Sequence, residues 1–321
     1  MSNSLSIMAD IGGTNTRVAI ANGLKVDANS IERFRNAENS GLEEVLAKYL
    51  AQRPDINPSS ACAAIAGPVK DGQGTLTNLN WTVDETLLKR ATGANNASVI
   101  NDLQAQGHAL EHLTDSQTLV VKEGAAGDTH SARLVVGVGT GFNAAPVYRT
   151  DNVTLVPPAE AGHVDLATPT SELADFAGHF ASKNGFCSVE DILSGRGLAH
   201  IYEWQSGRMT EPAEIMAAHA ANNDPIASKT VGIFARALGN TVGNLALTTL
   251  PFGGIYLVGG VARAVTPYLS ANGFEDAFCD KGRFSDFMKQ FRIHVVDDDY
   301  AALLGMAALL QELRDGAASR S

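Results

Sequence analysis

From Leu5 the chain reads apolar as far as Ile11, turns glycine-rich and polar at Gly12-Gly13-Thr14-Asn15, and resumes as Arg17-Val-Ala-Ile-Ala. Two β-prone runs separated by glycines predict two strands joined by a tight hairpin. Leu42 to Gln52 carries apolar residues at helical spacing, and Ser60 to Gly67 reads as a strand that stops at Pro68. Val99-Ile100 runs into Asn101-Asp102, after which Leu103, Gly107, Leu110 and Leu113 recur on one helical face. Asn101 and Asp102 are therefore expected where a strand ends and a helix begins.

Leu134 to Val147 repeats the opening pattern, with Leu-Val-Val-Gly-Val, then Gly139-Thr-Gly-Phe-Asn, then Ala-Ala-Pro-Val. Two such strand, glycine turn, strand units, each opening an α/β half, suggest an internal structural duplication. The chain then turns helical at about Ser171 to Phe180, Val189 to Tyr202, Pro212 to Ala221 and Pro225 to Leu250. A last apolar strand, Gly254-Ile-Tyr-Leu-Val-Gly-Gly, enters another glycine turn. Asp315 to Ser321 is small and polar and is expected to fray.

Composition narrows the class. Of 321 residues, 45% are hydrophobic types and 18% charged, enough to bury a sizeable core in two domains. Lys and Arg number 24 against 35 Asp and Glu, and a net charge of -11 disfavours nucleic acid and anionic membranes as partners. An anionic ligand such as ATP would need locally arranged donors and a metal ion. Cys62, Cys187 and Cys279 are odd in number and far apart, with neither zinc-site nor disulfide spacing, which favours a reducing cytoplasm. Met1 to Ser6 has no basic segment ahead of an apolar stretch, and no run approaches the roughly 18 apolar residues of a membrane span. Neither a signal peptide nor a membrane span is expected.

Backbone N–H groups can point at phosphate oxygens only where no side chain obstructs the approach, which gives the glycine turns a chemical reading. Asp10-Ile-Gly12-Gly13-Thr14-Asn15 and Gly137-Val-Gly139-Thr140-Gly141 each combine such amides with a hydroxyl donor, and together would clamp a triphosphate. Asp10, at a strand end, would hold the water shell of Mg²⁺, a hard cation that usually keeps several waters. Taken singly, each turn is equally well a hairpin with permissive glycines; recurrence at the start of each half favours the phosphate reading. No Gly-x-x-x-x-Gly-Lys-Ser/Thr occurs, which excludes the P-loop class. Gly137-x-Gly139 has Phe142 where a dinucleotide fingerprint needs glycine, and it leads into a strand.

Phosphorylating an alcohol needs a group that accepts the hydroxyl proton. Asp102 is the candidate base, and Asn101 beside it would hydrogen-bond neighbouring hydroxyls; the competing reading makes one of the pair a helix cap. In the loop Pro157-Pro158-Ala-Glu160-Ala-Gly-His163, Glu160 and His163 have the acceptors and donors that ring hydroxyls require, although a solvated loop would look the same. Ser188-Val-Glu190-Asp191 resembles a capping box, in which Glu190 is either a helix-end charge or a sugar ligand. Gly259-Gly260, ending the last strand, would let backbone approach adenine and ribose, but glycine-terminated strands are common.

These pieces, in this order, resemble the bacterial glucokinase family, a branch of the superfamily that includes hexokinase, actin and the heat-shock chaperone ATPases. The resemblance runs from Asp10-Ile-Gly-Gly-Thr-Asn to Asp297-Asp-Asp-Tyr-Ala-Ala-Leu-Leu-Gly305. Between lie Leu76-Thr-Asn-Leu-Asn-Trp81, Ile100-Asn-Asp-Leu103, Glu160-Ala-Gly-His-Val-Asp165, Leu193-Ser-Gly-Arg-Gly-Leu198, Gly243-Asn-Leu-Ala-Leu247 and Asp280-Lys-Gly-Arg-Phe284. The resemblance implies that Asn101 and Asp102 bind glucose with Asp102 as base, and that Glu160, His163 and Glu190 are further sugar ligands. It implies phosphate contacts from Asp10 through Thr14 and from Gly139 through Gly141, ATP and Mg²⁺ as cofactors, and a homodimer.

The fold so implied is two actin-like, ribonuclease H-like α/β domains with mixed sheets flanking a cleft. The small domain would comprise residues 1–112 with 300–321, and the large one 113–299. The implied activity is transfer of the γ-phosphoryl group of ATP to the 6-hydroxyl of glucose; the alternatives are another hexose, or a non-catalytic sugar sensor of the same fold. Some positions depart from the family pattern: Ala159-Glu-Ala-Gly-His stands for Gly-Glu-Gly-Gly-His, Arg196 for a proline, and Phe142-Asn143 for Leu-Gly. They bear on sugar selectivity more than on catalysis. No cysteine-rich zinc motif is present, which argues against the repressor and sugar-kinase branch and against a structural zinc.

Overall fold

Ile7, Met8, Ala9 and Ile11 are each no more than 1% exposed, so the strand that carries them must be covered on both faces. This computed structural model describes residues 5–76, 79–151 and 153–318. Thr77 and Asn78 of the Leu76–Trp81 run, the first four residues and the last three lie outside the described residues. The chain divides into two compact units. The first is Met1–Thr114 with Arg149–Pro158 and Asp298–Ser321, and the second is Asp115–Tyr148 with Ala159–Asp297.

The first unit opens with the expected hairpin, β1 (Leu5–Ile11) and β2 (Asn15–Asn22), followed by β3 (Lys25–Val26), β4 (Glu32–Arg35), α1 (Leu42–Ala51) and β5 (Ser60–Ile65). A small antiparallel ribbon, β6 (Val69–Lys70), β7 (Gln73–Thr75) and β8 (Thr82–Asp84), precedes α2 (Glu85–Thr92), β9 (Asn96–Asn101) and α3 (Asp102–Ala109). The sheet order is β3-β2-β1-β5-β9, with β4 also on β2. β1 pairs antiparallel with β2 but parallel with β5, and β5 parallel with β9, so the sheet is mixed.

In the second unit come β10 (Thr118–Lys122), β11 (Arg133–Val138) and β12 (Phe142–Arg149); β13 (Thr154–Leu155) belongs to the first. Helices α4 (Ser171–Asn184), α5 (Gly195–Ser206), α6 (Pro212–Ala220) and α7 (Pro225–Thr249) follow, then β14 (Ile255–Val258), α8 (Gly260–Leu269), α9 (Phe274–Cys279), α10 (Ser285–Met288) and β15 (Ile293–Val296). α11 (Ala301–Ala318) completes the first unit. The second sheet runs β10-β15-β14-β11-β12, with β11 antiparallel to β12 and parallel to β14. The order β12-β11-β14-β15 repeats β2-β1-β5-β9: an antiparallel hairpin followed by two parallel strands. This is the duplication that the glycine turns suggested.

In the first unit alternate side chains of β1 serve two cores, as a period of two requires. Ile7, Ala9 and Ile11 pack with Leu42, Leu46, Tyr49 and Leu88 of α1 and α2. Met8 packs with Cys62, Ala105, Leu303, Met306 and Leu310, the last three on α11. In the second unit α7, capped by Asp224 and begun at Pro225, supplies Phe234, Leu238 and Val242 to a core with Leu134, Ile255 and Phe274.

Four expected boundaries move. Ser188 and Asp191 do exchange capping-box bonds, Ser188 N–H to Asp191 Oδ2 at 2.8 Å and Asp191 N–H to Ser188 Oγ at 3.3 Å, yet no helix starts there. Val189 and Glu190 instead bond the backbone of Val164 and Gly162, and α5 waits for its own cap, Ser194. The last glycines do not make a turn: Gly260 opens α8. α3 ends at Ala109, short of Leu113, and α11 continues into the supposedly frayed tail, to Ala318. Among the described residues no helix is long and apolar enough to cross a membrane, and all three cysteines are free thiols.

Candidate active site

The hairpin turn of the first unit is held from its own backbone and from one distant side chain. Gly12 N–H donates to the Asn15 carbonyl at 3.0 Å. Asn36, 2% exposed, donates from Nδ2 to the Gly12 carbonyl at 2.7 Å, accepts from the Thr16 hydroxyl at 2.8 Å, and donates its N–H to the Thr14 carbonyl at 2.9 Å. Gly13 and Thr14 stay exposed at the tip. Neither Gly12 nor Gly13 adopts the left-handed backbone that would demand glycine. The permissive-hairpin reading therefore does not explain them.

Asp10 faces Arg17 across the hairpin register, and their side chains meet at 3.2 Å. Burial raises the Asp10 carboxyl above its ordinary value; the Arg17 charge and hydrogen bond pull it down without offsetting that.

Ile11, Ile65 and Asn101 lie in register across β1, β5 and β9. That row brings the glycine turn and the Asn101-Asp102 junction to the same end of the sheet, where its parallel strands finish. Asn101 caps α3: its Oδ1 accepts from Leu103 N–H at 2.8 Å, and its own N–H donates to Gln104 Oε1 at 3.0 Å, a complete capping box. Its Nδ2 donates to the Gly67 carbonyl at 2.9 Å. Gln104 reaches on to the Val156 carbonyl at 2.7 Å. Asp102 is the first helical residue, its Oδ1 accepting from Leu103 N–H at 2.8 Å, and the helix N-terminus favours its negative charge.

In the second unit the turn Gly139-Thr140-Gly141 closes through Gly139 N–H to the Gly141 carbonyl at 2.9 Å, and Gly195 N–H at the start of α5 donates to the Gly139 carbonyl at 2.9 Å. The two glycines differ in cause. A Cβ on Gly139 would meet no described atom within 4 Å, whereas one on Gly141 would overlap Glu190 Oε2. Glu190 fills that space and accepts Phe142 N–H on Oε2 at 2.9 Å, while Arg196 donates to its Oε1 at 2.8 Å.

The loop that carries Glu160 and His163 is fastened to the same place. Glu190 N–H donates to the Gly162 carbonyl at 2.9 Å, and Val189 N–H to the Val164 carbonyl at 3.0 Å. Asn143 holds its other side, with Nδ2 on the Ala159 carbonyl at 2.6 Å and Oδ1 accepting Ala161 N–H at 2.9 Å. Glu160 and His163 are exposed at the ends of a one-turn 3₁₀ segment. Gly259 and Gly260 stand at the end of β14, whose neighbour β11 leads into Gly139. Gly259 is fixed by packing, with φ of +107° and a would-be Cβ 2.5 Å from the Val138 carbonyl; Gly260 meets no described atom within 4 Å.

Each unit thus gathers its share of the expected residues: Asp10, the first turn, Asn101 and Asp102 in one; Glu160, His163, Glu190, the Gly139-Thr140-Gly141 turn and the Gly259-Gly260 pair in the other. Asn36, Gln104, Asn143 and Arg196 have supporting roles that sequence reasoning did not assign. Only Gln104 had a signal, three residues after its cap.

Residues 7–313 match the family model described as Glucokinase. The glucokinase of Rhizobium etli is 30% identical over 308 residues, covering 94% of this chain and 90% of that protein. A crystal structure of glucokinase from an Antarctic psychrotroph aligns with a TM-score of 0.84 at 32% identity, over 96% of this chain and 98% of that one. The ROK family glucokinase from Streptomyces griseus, in complex with glucose and AMPPNP, shares the fold with a TM-score of 0.63 at 18% identity, covering 95% and 98%. With a family model spanning both units and relatives of about 30% identity along nearly the whole chain, the chain belongs to the glucokinase family of hexose kinases.

Proposed function

We propose that this chain transfers the γ-phosphoryl group of ATP to the 6-hydroxyl of glucose, giving glucose 6-phosphate and ADP. The observation that carries the reading is the placement of Asp102 on the first turn of α3, at the same sheet end as the Gly12-Gly13-Thr14 turn. The names of the relatives and the glucose and AMPPNP of the Streptomyces griseus structure support it.

In this reading the 6-oxygen of glucose bonds to the γ-phosphorus, the bond from that phosphorus to the leaving ADP oxygen breaks, and Asp102 takes the hydroxyl proton. Asn101 fixes Asp102 by capping its helix, beside the sugar hydroxyls. Glu160, His163 and Glu190 meet the ring hydroxyls. Gly13, Thr14 and Asn15 of the first turn and Thr140 and Gly141 of the second bind phosphate oxygens through N–H and hydroxyl donors, while Gly12 and Gly139, whose own N–H groups close the turns, keep the approach free of side chains. Gly260, with Gly259 shaping its approach, leaves room for the nucleoside.

A half-buried carboxylate beside a glycine turn suits Mg²⁺, which takes one or two carboxylates and keeps its remaining ligands as water and phosphate. Asp10 would hold that ion through water, and the ion would neutralise charge on the transferring group. Free, widely spaced thiols support work in a reducing cytoplasm, and the family resemblance supports a homodimer.

A coupled assay of ADP formation with ATP and a panel of hexoses tests the proposal. Glucose should give the highest kcat/KM. A higher value with fructose, mannose or an amino sugar would move the assignment to that sugar. No ADP with any of them would leave a sugar-binding protein without catalysis.

A further inference from the structure

Both carboxylate oxygens of Glu190 are engaged by the protein itself, one by the Phe142 N–H and the other by Arg196 at 2.8 Å. The partners differ in exposure: the Glu190 side chain is 19% exposed and the Arg196 side chain 66%. Arg196 lies in the first turn of α5, where the helix field opposes a cation. Its position there is therefore unfavourable for the helix, and its ion pair with Glu190 is the compensating interaction. The geometry is stiffened from the backbone, since the α5 cap Ser194 donates its hydroxyl to the Glu190 carbonyl at 2.8 Å.

We propose that Arg196 is a positioning residue that neutralises Glu190 and so sets the preference of the sugar site for uncharged over ammonium-bearing hexoses. This rests on the reading of Glu190 as a sugar ligand. A carboxylate offers about four lone-pair sites, so accepting one bond on each oxygen leaves acceptors for ring hydroxyls. Its charge is another matter. A guanidinium in contact cancels most of the field that Glu190 would project onto a protonated amine, so hydroxyl recognition survives while attraction for a cation does not. The proline of the family pattern at this position has no charge with which to do this.

The test uses the full-length enzyme with glucosamine as a competitor of glucose, at a mildly acidic pH where the amine is protonated. The ratio of glucosamine Ki to glucose KM is read for the unmodified protein, R196A and R196K. R196A should lower that ratio by about two- to fivefold, the range expected of an exposed ion pair, and R196K should restore it. A purely structural role would raise both constants together; an unchanged ratio in R196A overturns the proposal. E190Q separates the two levels. Unchanged glucose KM in E190Q overturns both this inference and the sugar-ligand reading beneath it. A raised glucose KM in E190Q with an unchanged ratio in R196A overturns this inference alone.

Discussion

The space that a side chain on Gly141 would occupy is filled by Glu190, whose Oε2 would overlap the added Cβ and whose carboxyl carbon would stand 3.1 Å from it. One glycine therefore joins the second glycine turn to the proposed sugar ligand. Gly139, two residues earlier, has no such neighbour among the described residues.

The two glycines should respond differently to alanine. Gly139→Ala is expected to leave thermal stability nearly unchanged while raising the KM for ATP by roughly tenfold, the worth of one lost charged hydrogen bond. Gly141→Ala should lower stability by about 1–3 kcal/mol, the worth of the charged hydrogen bond from Phe142 N–H to Glu190 that its Cβ displaces, and raise the KM for glucose. Thermal unfolding with steady-state kinetics on both variants checks this. Equal destabilisation would refute the distinction.

What could be read from the sequence was local. Both hairpins, the strand-to-helix junction at Asn101-Asp102 and the caps of α7 are set by residues a few positions apart. The misplaced start of α5 shows the limit: Ser188 and Asp191 make the bonds of a capping box, but backbone pairing with Gly162 and Val164 claims that stretch. The supports of the site were hidden because they are remote, Asn36 reaching Gly12 from 24 residues away and Glu190 reaching Phe142 from 48. Asn143 and Arg196 drew notice only as departures from a pattern, and their partners became visible in three dimensions.

Asp10 gives a pH signature. Its folded-state carboxyl is raised above the unfolded value, so the native protein holds this proton more readily and its ionisation costs stability as pH rises through the folded value. Asp10→Asn removes that cost. The difference in Tm, variant minus unmodified protein, should become more favourable to the variant as pH rises from about 4, the unfolded value, through the raised folded value. The same variant should need more Mg²⁺ for half-maximal turnover. A Tm difference that stays flat over this range would contradict the stability argument.

Gly305 tests how α3 is held. A Cβ there would overlap the Ala105 carbonyl and come within 2.9 Å of the Ala109 nitrogen, so α11 and α3 meet backbone to backbone. Gly305→Ala should cost about 1–3 kcal/mol by urea denaturation, and should reduce turnover because α3 carries Asp102. Full activity in a destabilised variant would separate the helix contact from the chemistry.

The account stands most directly on proton acceptance by Asp102. Asp102→Asn keeps the shape of the side chain and an oxygen for the Leu103 N–H, but it cannot take a proton from an alcohol. Steady-state turnover of glucose and ATP by this variant, set beside calorimetric binding of glucose, should show kcat reduced by about 10²- to 10⁴-fold with glucose still bound. Turnover close to that of the unmodified protein would contradict it.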